Sequence, residues 1–130
     1  MADTQTQTRI AQVGTVIVPV SDQDAALEFF TGKLGFEKRT DVPYGDGNRW
    51  LDVAPPGGET TVAVVPPMGD TPIGGETGIA FTSADVDADH ATLRERGVDV
   101  DDEIMRGDDI PSMFWFRDPD GNRYLIVQRG

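Results

Sequence analysis

Phe116-Arg117-Asp118-Pro119-Asp120-Gly121-Asn122 leads into Tyr124-Leu125-Ile126-Val127. Turn-forming Asp, Pro, Gly and Asn between two apolar stretches read as strand, tight turn, strand. Sixty-three residues earlier stand Pro55-Pro56-Gly57-Gly58 and then Thr61-Val62-Ala63-Val64. At that offset Pro119 falls on Pro56, and Gly121 on Gly58. Asp85-Val86-Asp87-Ala88 likewise falls on Asp22-Gln23-Asp24-Ala25, and Ile79-Ala80-Phe81 on Val16-Ile17-Val18. A period this long is one supersecondary unit used twice, and neither copy can bury its apolar face alone.

Reading outward from the repeat predicts the elements of each copy. Val13 to Val20 is rich in β-branched residues and predicts a strand. Ser21 or Asp22 caps a helix that runs to Gly35, with Asp24 complementing the dipole in its first turn. Strands are predicted over 36–40, 49–53 and 60–65, with the loop 43–48 and the turn 55–58 between them. The second copy repeats the order: a strand over 79–82, a helix over 86–96 capped by Gly97, and strands over 98–104, 113–116 and 124–128. Each copy is βαβββ. The predicted class is α+β, two such modules in tandem forming a cupped mixed sheet with helices on its outer face. The predicted organisation is a flexible N-terminus over 1–9 and a single domain over 10–130. Within that domain, module 1 covers about 10–67, a Pro- and Gly-rich linker 68–76, and module 2 about 77–130.

The chain has 130 residues, within the range of one domain with a real core. Its net charge is −12, with seventeen Asp against six Glu and nine Arg against two Lys. That charge argues against nucleic acid and anionic membrane as partners, because phosphates would be repelled. An Asp-rich, Lys-poor surface is expected of a protein working at high salt, or of one from a GC-rich genome. There is no cysteine, hence no disulfide or thiolate chemistry. No signal-like apolar segment is visible, and the apolar runs are only strand-length. The expected location is the cytoplasm.

Period-two alternation sorts the strand residues into two faces. Val16, Val18, Val20, Leu51, Val53, Phe114 and Phe116 are expected to pack on the helices. Thr15, Ile17, Trp50, Asp52, Met113 and Trp115 share the other, mixed face, which makes a poor dry core and a good binding surface. Thr15, Trp50, Asp52, Met113 and Trp115 are the candidate ligand-binding residues, the tryptophans and methionine suiting a planar apolar ligand. Asp52 is also the weak candidate for catalysis, as a general base or as partner to a cationic or hydroxylated group. His90, the one histidine, is expected on the solvated side of the second helix. The acidic run 99–103 and the pair Asp108-Asp109 are expected to be a solvated edge, since their spacing is not that of a calcium loop.

The layout resembles the vicinal oxygen chelate superfamily, which includes glyoxalase I, bleomycin-resistance proteins and extradiol dioxygenases. The resemblance is carried by Val20-Ser21-Asp22 through Ala26, Phe29-Phe30, Lys33-Leu34-Gly35-Phe36, Gly78-Ile79-Ala80-Phe81, Leu93 to Gly97-Val98, and the 116–122 run. It implies a homodimer and a metal held in the cup by His, Gln or Glu. The corresponding places here hold Thr15, Val62, Gly78 and Leu125, with Val62 placed by subtracting 63 from 125. None is a useful ligand for a divalent ion. The sequence therefore predicts no metal and no cofactor. The expected function is bleomycin-resistance-like sequestration of a small apolar or aromatic molecule. The alternative is a glyoxalase- or dioxygenase-like enzyme working without the usual metal ligands.

Overall fold

A computed structural model describes residues 7–130, so most of the predicted flexible N-terminus lies outside the described residues. The first module contains β1 (Thr15–Pro19), α1 (Gln23–Glu28), β2 (Glu37–Pro43), β3 (Arg49–Ala54) and β4 (Thr61–Val65). The second contains β5 (Glu76–Ser83), α2 (Val86–Glu95), β6 (Asp99–Val100), β7 (Met113–Arg117) and β8 (Arg123–Gln128). They form two four-stranded mixed sheets, ordered β1-β4-β3-β2 and β5-β8-β7-β6. The βαβββ order of each module is as the repeat implied. The edge strands β1 and β5 are parallel to their neighbours β4 and β8, and the remaining pairs, including the opposite edges β2 and β6, are antiparallel.

Both helices begin where the sequence places a cap. Asp22 and Asp85 accept from the amides of Ala25 and Ala88, each at 3.0 Å. The first helix then departs from the expected single α-helix: Phe29–Lys33 forms a π-helical turn. That turn turns adjacent rings inward, and Phe29 and Phe30 are both buried. Phe29 stacks on Phe116 at 6.3 Å, and Phe30 meets Tyr124 edge-on at 5.8 Å. Rings of the first module thus reach the middle of the second sheet, and one core spans both modules. Val18, Val53, Phe114 and Phe116 are all completely buried in it.

Further expectations are corrected. The strand expected over 98–104 shrinks to Asp99–Val100 plus a bridge between Met105 and Met113. Asp99 and Asp101 turn instead to Arg117, at 3.3 and 2.5 Å, and Asp102 pairs with Arg94. The expected solvated acidic edge is therefore partly neutralised. His90, expected in solvent, is 8% exposed. Its Nε2 lies 2.7 Å from the Asp101 carbonyl, and its ring stands edge-on to Phe114 at 4.8 Å. The inward face of α2 is set by its packing on β7, which the acidic neighbours of His90 do not reveal. The fifth strand also starts at Glu76, inside the stretch read as linker.

The modules meet about an approximate twofold axis. Lys33 Nζ donates to the Arg96 carbonyl at 2.7 Å, and Arg96 donates to the Lys33 carbonyl at 2.8 Å. One junction beside this axis is locked. Ser21 donates from both N and Oγ to the Asp120 carboxylate, at 2.9 and 2.5 Å, and Asn122 Nδ2 donates to the Pro19 carbonyl at 3.0 Å. Behind that lock, Asp118 accepts from the amides of Asp120 and Asn122, the Asn122 side chain and the Tyr124 hydroxyl. Burial, followed by the neighbouring Asp118 charge, raises the pKa of the Tyr124 phenol. The counterpart junction, where Pro55, Gly57 and Gly58 face Gly78 and Thr82, is open and holds a cavity of about 620 Å³.

Candidate functional site

Burial alternates along β7 and through most of β5 and β8, whereas β3 is buried from Leu51 to Ala54 and β4 from Val62 to Val65, mixed-face residues included. Leu51, Val53, Phe114 and Phe116 are buried in the core, while Trp50, Met113 and Trp115 are half-buried on the opposite side. The register assembles the first mixed face: Thr15 pairs with Thr61, Ile17 with Ala63, Asp52 with Ala63, and Trp50 with Val42. The second is built from Ala80 beside Leu125, Trp115 beside Leu125, and Met113 beside Val127.

The subtraction that matched Val62 to Leu125 fails for the sheet face, although Val62 does line the cavity between the modules with Gly78. Val62 pairs with Val16 and Val53, is 2% exposed, and belongs to the core cluster. The residue on the mixed face is Ala63. The cause is turn length: β3 and β4 are separated by residues 55–60, β7 and β8 by residues 118–122, one fewer. A one-residue slip moves a strand's whole side-chain set to the other face.

Asp52 departs from the solvated rim acid that a face assignment alone would allow. It is 5% exposed, and its Oδ1 is buried without a hydrogen-bond partner. Its Oδ2 accepts from Thr61 Oγ1 at 3.3 Å, and Thr61 Oγ1 lies 2.9 Å from Thr15 Oγ1. The sequence reading missed Thr61. Its signal was available only once β1 and β4 were known to be parallel neighbours in register. It also missed Arg123, whose guanidinium lies over the Trp115 ring at 3.9 Å from the centroid while Nε pairs with Glu76 at 3.0 Å. Arg123 is the diagonal neighbour of Trp115 across the β7–β8 pair, a position from which a long side chain covers a ring.

Thr15, Trp50 and Asp52 lie together on the first sheet, and Met113 and Trp115 on the second. The apolar sides of both sheets contribute to one core, so each mixed face is turned away from it. Within one chain the two groups are not brought together. A separate cavity of about 220 Å³ lies on the core side between Phe36, Phe81, Leu93 and Phe116, and its lining includes Ser83, Asp89 and Arg96.

The positions for a metal do not suit one. Thr15 and Ala63 face the surface of the first sheet, and Leu125 that of the second. Gly78 sits at φ +73, a conformation that strains any residue with a Cβ. Among the described residues no group of three His, Cys, Asp or Glu side chains converges as metal ligands do.

Residues 9–126 match the model of the glyoxalase/bleomycin resistance protein/dioxygenase superfamily. The chain belongs to this superfamily. YetH of Bacillus subtilis (strain 168) is 34% identical over 127 residues, covering 92% of this chain and 99% of YetH. TnmS3, an antibiotic binding protein from Streptomyces sp. CB03234, is 38% identical with a TM-score of 0.84, over 95% of this chain and all of TnmS3. A superfamily member from Sphaerobacter thermophilus DSM 20745 is also 38% identical, with a TM-score of 0.88, over 94% of this chain and 100% of its own. Small-molecule binding is supported at the level of the superfamily. No helix among the described residues is long and apolar enough to cross a membrane.

Proposed function

We propose that the protein sequesters a small, partly aromatic molecule on its mixed sheet faces, without a metal. The observation that carries this is the exchange of chemistry on those faces. Where the superfamily would hold an ion, this chain has Thr15, Ala63, Gly78 and Leu125, yet it keeps Trp50 half-buried on the first mixed face and Met113 and Trp115 on the second. Aromatic and thioether surface with few polar groups is what an apolar ligand needs. The likeness to TnmS3 supports the same reading. The buried, unpartnered Oδ1 of Asp52 favours the second reading, in which that carboxylate acts as a general base in an enzyme without the usual metal ligands.

The complete site requires a second copy. The strands β1 and β5 each pair on one side only, and Ile17 on β1 is 52% exposed. A symmetric homodimer covers those edges and sets Trp50 and Asp52 of one protomer opposite Met113 and Trp115 of its partner, twice per assembly. Light scattering should then give twice the chain mass of 14.1 kDa. Equilibrium dialysis against planar aromatic compounds should show saturable binding that Trp50→Ala and Trp115→Ala both weaken. A monomer at all concentrations, or binding indifferent to both substitutions, overturns the proposal.

A further inference from the structure

We propose that Thr15, Thr61 and Asp52 form a polarised relay that selects ligands carrying an N–H or O–H donor, such as a phenol, an amide or an ammonium group. The inference rests on the reading that the mixed face of the first sheet binds the ligand. Asp52, Thr61 and Thr15 lie on three adjacent strands, β3, β4 and β1, on the same face. The oxygens are linked in series, Asp52 Oδ2 to Thr61 Oγ1 at 3.3 Å and Thr61 Oγ1 to Thr15 Oγ1 at 2.9 Å.

The direction of this series follows from the inventory of protons. A carboxylate only accepts, and each threonine hydroxyl has a single hydrogen. Thr61 gives its hydrogen to Asp52, so it must accept from Thr15. The hydrogen of Thr15 is thereby spent on Thr61, and the exposed end of the relay presents lone pairs. Asp52 Oδ1 has no partner. No donor on that oxygen draws the charge away from the relay; the buried carboxylate polarises the half-buried Thr61 hydroxyl, which passes the polarisation to the exposed Thr15 hydroxyl through their hydrogen bond. The residue that meets the ligand is Thr15; Thr61 and Asp52 are positioning residues. A ligand that offers only acceptors, or an anion, meets like polarity at Thr15 and binds more weakly.

The test uses 2-naphthol and 2-methoxynaphthalene, which share an aromatic body and differ in one donor, measured by equilibrium dialysis. The intact protein should bind 2-naphthol about tenfold more tightly, the scale of one charge-backed hydrogen bond. Thr61→Val keeps the shape and removes the link. It should leave both compounds bound and cut the preference to about threefold or less, and Thr61→Ser should restore it. A merely structural role for Thr61 would lower both affinities and leave their ratio unchanged. Should Thr61→Val fail to fold, Thr15→Val at the exposed end must abolish the same preference. Equal binding of the two probes by the intact protein, or a preference that survives Thr61→Val, overturns the relay and leaves the aromatic surface standing. Absence of saturable binding for both probes overturns the relay and the binding surface together.

Discussion

Asp118→Ala tests whether the locked junction holds the two modules in place. The Asp118 carboxylate is buried and accepts four hydrogen bonds: two backbone amides on Oδ1, and the Asn122 side chain and Tyr124 hydroxyl on Oδ2. Truncation leaves the buried Tyr124 hydroxyl without an acceptor and Asn122 Nδ2 with only the Pro19 carbonyl. A bond to a charged acceptor contributes about 1.5–3 kcal/mol, and a buried donor left unmade costs about 1–3 kcal/mol. Four such bonds on one carboxylate are not additive, because water can enter the vacated space and reach the Asp120 amide. A loss of about 3–5 kcal/mol is therefore expected, matching the removal of one partner from a buried charged network. Asp118→Asn should cost less. Its amide oxygen still serves the two backbone amides, while its NH₂ opposes the Asn122 donor. Urea unfolding followed by circular dichroism should show a lower midpoint at unchanged slope, and melting should fall on the order of 15 °C for a chain of this size. A loss below about 1 kcal/mol would refute the reasoning and show that the turn conformation, not the carboxylate, holds the junction.

Four further outcomes are expected. Phe116→Ala should cost roughly 3–5 kcal/mol in unfolding experiments as a core truncation, while Trp115→Ala leaves the fold intact; the reverse order would mean the two sheet faces are exchanged. The Tyr124 pKa is raised, by burial first, so this residue's contribution is complete below the ordinary value of 10.0 and is lost as pH rises above it; Tyr124→Phe should flatten that alkaline limb of a stability profile. The Asp41 pKa is lowered, chiefly by its hydrogen bond from Arg49, so stability is present above the ordinary value of 3.8 and is lost as pH falls below it, a limb that Asp41→Asn should reduce. At a net charge of −12, melting temperature should rise with KCl over the range in which surface repulsion is screened, and a flat or falling trend would contradict the repulsion argument.

What was legible in the sequence is what local chemistry dictates. Asp22 and Asp85 were readable as caps because a short acid before an apolar run has few other uses. Phe114 and Phe116 could be separated from Met113 and Trp115 because strand alternation is rigid. The burial of His90, the position of Arg123 over Trp115 and the link from Thr61 to Asp52 depend on which strand or helix lies alongside, and no local pattern encodes that. Val62 was misplaced for another reason. A constant offset assumes equal turns, and a stretch of Pro and Gly absorbs an extra residue without disturbing the apolar pattern on either side. The π-helical turn over Phe29–Lys33 was hidden because Phe29-Phe30 also satisfies an ordinary amphipathic helix.

The unequal turns also bear on how this architecture could be rebuilt from a single half. A tandem of two second modules would carry the five-residue Asp-Pro-Asp-Gly-Asn turn twice. Each copy would then place its aspartate beside the backbone amide of Ala84, the counterpart of Ser21, one residue before the opposite helix cap, and the space between Pro55 and Thr82 would narrow. Such a chain would be stiffer and more symmetrical, with both seams fastened. In the natural chain the longer first turn has Pro55 and Gly57 where the second has Asp118 and Asp120, so no carboxylate fastens that seam, and the duplication supplies the frame while its imperfection supplies the opening.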